Sequence, residues 1–487
     1  MKFLPYFQLF YVFGFVFVTV MSFPKRYFVN PRQLLVKDKL KLYRDQLSQK
    51  FRFGSGLPKI LNVEDEKKDE FFKIENRPHE LHKINQHLSD ELYQGDIALT
   101  HEQIDNLITG QKDEAKRDKR QAYKPASYPN NLWKKNGINF RIANSIDSST
   151  AQKIRKAIKF WQDNTCLTFQ ENGPDKHFLN FYKGSGCWSY IGNVSSFTQQ
   201  DISIGEGCEQ VGIIEHEIGH ALGFFHTQSR FDRDSFVKID TSNIDSSMLD
   251  NFDKESPSTN DNFGLDYDYG SIMHYSENAF ALDENKPVMT SLTSKLFQKT
   301  MGNRIEPSFT DLLMMNKLYQ CTDVCASSTY KCNNQGFNNP SNCNKCVCPG
   351  GFGGENCGYR KLASNNSATC GENLQATTEW KSLDRTIGNN RQEIIDEVST
   401  CHWFLIAPVG KRVEIKVDYL GRICSSGCFY GGTEFKLGNF TKTGYRMCCK
   451  ADYENLSTMT SQNHLAIISL YTIYFNQQFQ IKYRYID

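Results

Sequence analysis

His216-Glu217-Ile218-Gly219-His220-Ala221-Leu222-Gly223-Phe224-Phe225-His226 decides how the rest of this chain is read. His216 and His220 stand four residues apart, so a helix carries both imidazoles on one face. Glu217 lies beside them, within reach of a metal-bound water. Zinc favours four-coordinate sites, and a catalytic zinc keeps one position for water. Two histidines are therefore one ligand short. Gly223 tolerates positive φ, so the helix can end there and the chain can turn sharply. His226 then comes back as the third nitrogen. A helix running straight on would carry it away from the first two. The plain alternative is a helix with three partly buried core histidines. Gly223, His226 and the later Ser271-Ile272-Met273-His274-Tyr275 together argue against it.

The string continues through Thr227-Gln228-Ser229-Arg230-Phe231-Asp232-Arg233-Asp234. From His216 to Asp234 it resembles the astacin family of metzincin metalloproteases, and Ser271 to Tyr275 resembles their Met-turn. Thermolysin-like enzymes share the first half of the pattern but take a downstream Glu as third ligand. The resemblance implies an α+β fold: a metzincin-type protease domain with a mixed sheet and an active-site helix. It implies one Zn2+ held by His216, His220 and His226, with Glu217 as the base. Tyr275 matches the tyrosine that binds zinc in the resting family enzyme and swings toward the oxyanion. Met273 is implied as an apolar floor below the ligands, where a soft, unbranched side chain suits an irregular gap. His274 is assigned no chemistry. Family members commonly carry Glu directly after the third histidine, where it helps tie down the mature N-terminus. This chain has Thr227, and a hydroxyl cannot form that charge-assisted contact.

The chain has 487 residues, enough for about three domains. A net charge of +2 is too balanced for nucleic acid to be the main partner. The sixteen cysteines all lie from Cys166 onward. That distribution suggests an oxidised, secreted C-terminal part and a different N-terminal part. Lys2 and the apolar run from Phe3 to about Phe23 read as a signal peptide, residues 1–22. A membrane anchor is the competing reading of that run. No other stretch approaches spanning length, and no stable membrane insertion is expected of the mature protein.

Residues 23–120 read as a pro-segment, rich in Lys, Glu and Asp and without cysteine. Leu34, Leu35, Leu40, Tyr43 and Leu47 stand close to helical spacing. Tyr93-Gln94-Gly95-Asp96-Ile97 resembles the astacin pro-segment motif, which implies that Asp96 presents a carboxylate to the zinc and keeps a zymogen inactive. A simple Gly-Asp turn is the competing reading. Arg117-Asp118-Lys119-Arg120 fits the basic pattern cut by furin-type processing proteases, placing the cut after Arg120.

Residues 121–321 read as the protease domain. Ile138 to Ile142 alternates as a half-buried strand. Ser149 is the expected cap of a helix from about Thr150 to Asp163. Its Ile154, Ala157, Ile158 and Trp161 form an apolar face. Further strands are expected at Leu179–Tyr182 and Asp201–Ile204. The resemblance further implies an edge strand beside the cleft that holds the substrate backbone by strand addition. Cys166, Cys187, Cys208 and Cys321 allow three pairings. The resemblance implies Cys166–Cys321 and Cys187–Cys208. Zinc bound by these thiolates is the weaker alternative, given their scatter and an oxidising compartment.

Six cysteines from Cys325 to Cys357 fall within 33 residues. Residues 322–358 resemble an EGF-like domain. Residues 370–487 resemble a β-sandwich CUB domain, with strands expected near Trp403, Arg412–Val417 and Phe479–Tyr485 and a first pair Cys370–Cys401. Cys424, Cys428, Cys448 and Cys449 supply two more bridges of open pairing. Sequons stand at Asn193, Asn365, Asn439 and Asn455. The whole arrangement looks like a nematode-type astacin. It implies a secreted zinc endopeptidase acting on extracellular or matrix proteins. The rival reading is an extracellular binding or adhesion protein working through its C-terminal modules.

Overall fold

A computed structural model describes residues 37–44, 80–110, 122–123, 129–255, 260–364, 370–391, 393–421 and 423–487. The signal peptide 1–22, Leu34, Leu35, Leu47, the cleavage pattern ending at Arg120, and Asn365 lie outside the described residues. Among the described residues no helix is long and apolar enough to cross a membrane.

Residues 37–44 are helical (α1), with Leu40 and Tyr43 buried. A short helix α2 (Leu81–Ile84), strand β1 (Ile97–Ala98) and helix α3 (His101–Gly110) complete the described N-terminal part. Strand β2 (Ala122–Tyr123) pairs with Asn260–Asp261, which fixes the chain just after the basic pattern.

A six-stranded sheet follows. Its members are β1, β3 (Ile138–Ile142), β4 (Phe169–Glu171), β5 (Phe178–Tyr182), β6 (Cys187–Tyr190) and β7 (Gln199–Ile204), in the order β1-β6-β7-β5-β3-β4. Only β6–β7 is antiparallel. β6 would be an exposed edge, a row of unpaired amide groups. Here β1 covers it in parallel register, Ile97 opposite Ser189.

Helix α4 runs Ser148–Asn164 rather than starting near Thr150, and its cap is Asp147 rather than Ser149. The Asp147 carboxylate accepts from Thr150 N at 3.0 Å and from the Thr150 hydroxyl at 2.7 Å. A carboxylate can satisfy both donors of the first turn, which Ser149 inside the helix cannot. The expected apolar face is present: Ile154, Ala157, Ile158 and Trp161 are buried. They pack on the zinc-motif helix α5 (Val211–Ala221), which is buried from Gly212 onward. Trp161 Nε1 donates to the Glu215 carbonyl at 3.1 Å, pinning the two helices together.

Helix α6 (Phe309–Leu318) closes the domain with a capping box between Ser308 and Asp311. Cys166–Cys321 and Cys187–Cys208 are bonded. The first closes a separation of 155 residues, which on the chain-entropy account is worth about 5 kcal/mol. Eight bridges use all sixteen cysteines, so none is left for a thiolate metal site.

The small disulfide-rich region carries Cys325–Cys343, Cys332–Cys346 and Cys348–Cys357. Beyond it, a five-stranded and a four-stranded sheet form a β-sandwich. Its longest strands are Ile394–Ile406, Arg412–Leu420, Leu465–Tyr474 and Asn476–Ile486. Between them lies a core that includes Trp403, Val413, Ile415, Phe435 and Phe479. Cys370–Cys401 is bonded, and the two open pairs are Cys424–Cys449 and Cys428–Cys448.

Candidate metal centre

Helix α5 ends where the glycine permits it. Gly223 has φ of 109°, a conformation costly for any residue with a Cβ. Gly223 N bonds to the His220 carbonyl at 2.8 Å and Phe224 N to the Gly219 carbonyl at 3.0 Å. The chain then doubles back and delivers His226. All three histidines are fully buried.

Each imidazole has its outer nitrogen occupied. His216 Nδ1 lies 2.8 Å from the Ile272 carbonyl and His220 Nδ1 2.7 Å from the Phe224 carbonyl. His226 Nδ1 lies 3.1 Å from Gln94 Oε1. Carbonyl oxygens only accept, so each Nδ1 carries the proton and each Nε2 presents a lone pair. Burial pushes His216 below its ordinary value and His226 down to about 4, which keeps both imidazoles neutral.

The three lone pairs converge. His220 Nε2 is 3.1 Å from His216 Nε2. Asp96 completes the set, with oxygens 3.2, 3.4 and 3.1 Å from Nε2 of His216, His220 and His226. Nitrogen lone pairs and a carboxylate repel at these distances unless a cation sits among them. A tetrahedral zinc with ligands at about 2.0–2.1 Å separates its donors by roughly 3.3 Å. The residues therefore fit zinc in number, donor type and spacing. This is the only all-His/Asp group of that kind among the described residues; in the other cluster, Cys428, Cys448 and Asp452, the two sulfurs are bonded to each other.

Below the cluster runs the Met-turn. Met273 is fully buried, and a Cβ added at Gly219 of α5 would lie 2.9 Å from its sulfur. Asp311 pins the turn: its carboxylate accepts from Ser271 Oγ at 2.6 Å and from Ile272 N at 2.8 Å. Thr227 Oγ1 donates to Ser271 Oγ at 2.8 Å, so the residue that departs from the family pattern ties the third histidine's loop to the Met-turn. His274 donates from Nδ1 to the Tyr275 carbonyl and accepts from the Tyr267 hydroxyl at 2.7 Å, both inside the core.

Both Glu217 oxygens are buried without a hydrogen-bond partner. Burial, then the charge of Asp96, pushes this carboxyl well above its ordinary value. The Tyr275 hydroxyl donates to the Gln94 carbonyl, one residue short of Gly95-Asp96.

Comparison with known proteins reaches the same place. The profile of the astacin peptidase family matches residues 125–320. Zinc metalloproteinase nas-27 of Caenorhabditis elegans is 34% identical over 405 residues, covering 81% of this chain and 90% of that protein.

The chain belongs to the astacin family.

Zinc metalloproteinase nas-31 of the same nematode is 37% identical over 412 residues, covering 83% of this chain; the chain spans 65% of that relative's length. Among solved structures, high choriolytic enzyme 1, a hatching enzyme zinc-protease from Oryzias latipes, is 31% identical. It covers 42% of this chain and 99% of its own, with a TM-score of 0.37. The metal centre of Asp96, His216, His220 and His226 is the zinc site of an astacin-like metalloendopeptidase.

Three residues beside this astacin site carried no sequence signal of their own. Gln94 sits inside the recognised motif, yet its contact with His226 is not implied by the motif's Gly-Asp pair. Asn85 donates to the carbonyls of Gly95 (2.8 Å) and Cys187 (2.6 Å) and accepts from Cys187 N (2.8 Å), stitching the N-terminal segment to β6. Arg304 lines the cavity beside Asp96 and Tyr275, together with Leu81, Ala279 and Phe280. Its Nη1 donates to the Ile272 and His274 carbonyls at 2.8 and 2.9 Å.

Proposed function

We propose that this astacin is a secreted zymogen whose zinc endopeptidase activity is held back by Asp96. The observation that carries the reading is the convergence of three imidazole lone pairs and the Asp96 carboxylate beside an unpartnered Glu217. Asp96 holds a carboxylate where the attacking water has to sit. The β1 segment fills the edge of β6 that a substrate would otherwise take by strand addition. Cleavage after Arg120 by a furin-type protease is the activating step.

When bound, zinc supplies an acidified water and polarises the scissile carbonyl. Glu217 accepts the proton of the attacking water and returns it to the leaving amine. The Tyr275 hydroxyl already donates to a backbone carbonyl in the cleft. In the reaction it donates to the substrate oxygen as negative charge develops there. Arg304 lines the cavity beside Asp96 and Tyr275 and would favour an acidic residue just after the cut, the preference common among astacins.

Residues 322–358 and 370–487 fit an EGF-like and a CUB module that present the protease to extracellular or matrix substrates. Eight disulfides suit an oxidising, extracellular location. Asn439 and Asn455 are exposed sequons suited to glycans.

The test is peptide hydrolysis by the chain before and after cleavage at Arg120, with zinc content measured in both. The reading requires activity only after cleavage, abolished by a chelator and by Glu217→Gln with zinc retained. Equal activity before and after cleavage would remove the zymogen from the account. Near wild-type turnover in Glu217→Gln would remove Glu217 as the proton shuttle.

A further inference from the structure

The C-terminal sandwich reaches the back of the active site through a buried polar contact. Its turn and strand at Thr443–Arg446 lie against Asp268 and Gly270, the residues that lead into the Met-turn. Thr443 N and Oγ1 donate to the two Asp268 oxygens at 3.2 and 3.3 Å. A Cβ at Gly270 would lie 2.4 Å from the Thr443 side chain, so the two surfaces meet only because a glycine stands there. Arg446 donates from Nη1 to Asn303 Oδ1 at 2.8 Å, and Asn303 Nδ2 donates to the Gly270 carbonyl at 2.8 Å. Asp268, Asn303, Thr443 and Arg446 are all buried.

Arg446 is held from the other side by Glu434, with Nε 3.1 Å from Oε2. A buried ion pair is costly unless its remaining hydrogen-bonding capacity is filled, and removing one member leaves a stranded charge. Here the catalytic domain fills it through Asn303. A module that served only to recruit substrate would have no need to commit a buried charge to this face. A loose tether would leave Arg446 unsatisfied.

The contact continues to the metal ligands. Ile272, two residues beyond Gly270, offers the carbonyl that accepts from both His216 Nδ1 and Arg304 Nη1. Met273 lies under Gly219 of the zinc helix, and Tyr275 closes the same turn. A shift of the turn therefore moves a zinc ligand's outer partner and the Tyr275 hydroxyl together.

We propose that Arg446 and Thr443 are positioning residues for hydrolysis, making the C-terminal sandwich part of the catalytic unit. They act through Asn303, Asp268 and the Met-turn, and neither touches the substrate. The inference deepens the protease reading, and its test includes a readout that does not need hydrolysis.

The experiment compares wild type, Arg446→Leu, Arg446→Lys and Thr443→Val in the full chain cut after Arg120. Steady-state kinetics are normalised to bound zinc, and the cobalt-substituted forms are read by visible absorption. Small displacements of reacting groups are costly. Arg446→Leu should therefore lower kcat about tenfold, with KM within about twofold of wild type. Arg446→Lys, which keeps the positive charge but on a single nitrogen in place of the guanidinium fork, should recover part of the loss. The cobalt spectrum of Arg446→Leu should shift as the His216 geometry relaxes. If Arg446→Leu does not accumulate as folded protein, Thr443→Val decides, with a smaller fall in kcat and a matching spectral change. Wild-type kcat and wild-type cobalt spectra in the folded variants would overturn the proposal, even with a lowered Tm. An inactive processed wild type would count against the protease reading; the cobalt spectra would still decide the positioning claim.

Discussion

Asp96 and His226 stand 130 residues apart in sequence, yet an oxygen of one lies 3.1 Å from Nε2 of the other inside a fully buried site. Gln94, two residues before Asp96, holds the same imidazole from its opposite nitrogen. The N-terminal segment thus grips the third ligand on both sides, and on the proposed zymogen reading its departure alters both the metal's fourth position and the ligand's outer partner.

The first consequence concerns Asn85. It makes two buried hydrogen bonds to Cys187 that fasten the segment to β6, and a third, to Gly95, within the segment. At about 1 kcal/mol each, loss of the two bonds to Cys187 is worth roughly 30-fold in affinity. A synthetic peptide spanning residues 80–110 should inhibit the processed enzyme, and the same peptide with Asn85→Ala should inhibit roughly 30-fold more weakly. Equal inhibition constants would show that the fastening resides elsewhere.

Tyr275→Phe should lower kcat by about 100-fold or more while leaving KM close to wild type, since one oxyanion donor carries that weight. Stopped-flow or steady-state assay of the processed enzyme reads both constants. An unchanged kcat with a raised KM would make the hydroxyl a ground-state binding group.

Stability should fall with rising pH through Asp311. Burial raises this carboxyl from 3.8 to about 6, against the hydrogen bond from Ser271 and with help from Asp268. A carboxyl raised in the folded state stays protonated there while the unfolded chain ionises. Its contribution is full below the unfolded value and is lost as pH climbs through about 6. The loss is at most about 3 kcal/mol. Denaturant titrations between pH 4 and 7, run beside Asp311→Asn, should show this decline in wild type and a flatter profile in the variant. Parallel profiles would exclude Asp311 as its source.

Glycans should be absent from Asn193. Its side chain is half-buried, with Nδ2 donating to the Leu132 carbonyl at 3.2 Å and Oδ1 accepting from His177 at 2.7 Å. A sugar on Nδ2 would displace that contact from a half-buried side chain, whereas Asn439, whose Nδ2 meets only Asp266 at the surface (3.3 Å), and Asn455 are exposed. Mass spectrometry of the protein expressed through the secretory pathway, after enzymatic deglycosylation, should find the mark at Asn439 and Asn455 alone among these three.

The zinc histidines were legible because their spacing is a local rule: four residues on one helix face, then a glycine that permits the return. The strands at Ile138–Ile142 and Phe178–Tyr182 announced themselves by alternation or apolar character. The start of α4 was harder, since Asp147-Ser148-Ser149 offers three capable caps in a row and only packing selects the first. The partners of the site were not legible at all. Gln94 meets His226 across 132 residues and Arg446 meets Asn303 across 143. No periodicity or turn chemistry marks a residue for a contact at that range. Asp96 was readable only because the motif around it resembles a family pattern, not because its own neighbours require a metal.

The most direct test of the central claim is a crystal structure of the uncleaved chain loaded with zinc. An Asp96 oxygen at about 2.0–2.2 Å from the metal, alongside His216, His220 and His226, is the predicted result. A water on the zinc, with Asp96 turned away from it, would contradict the account.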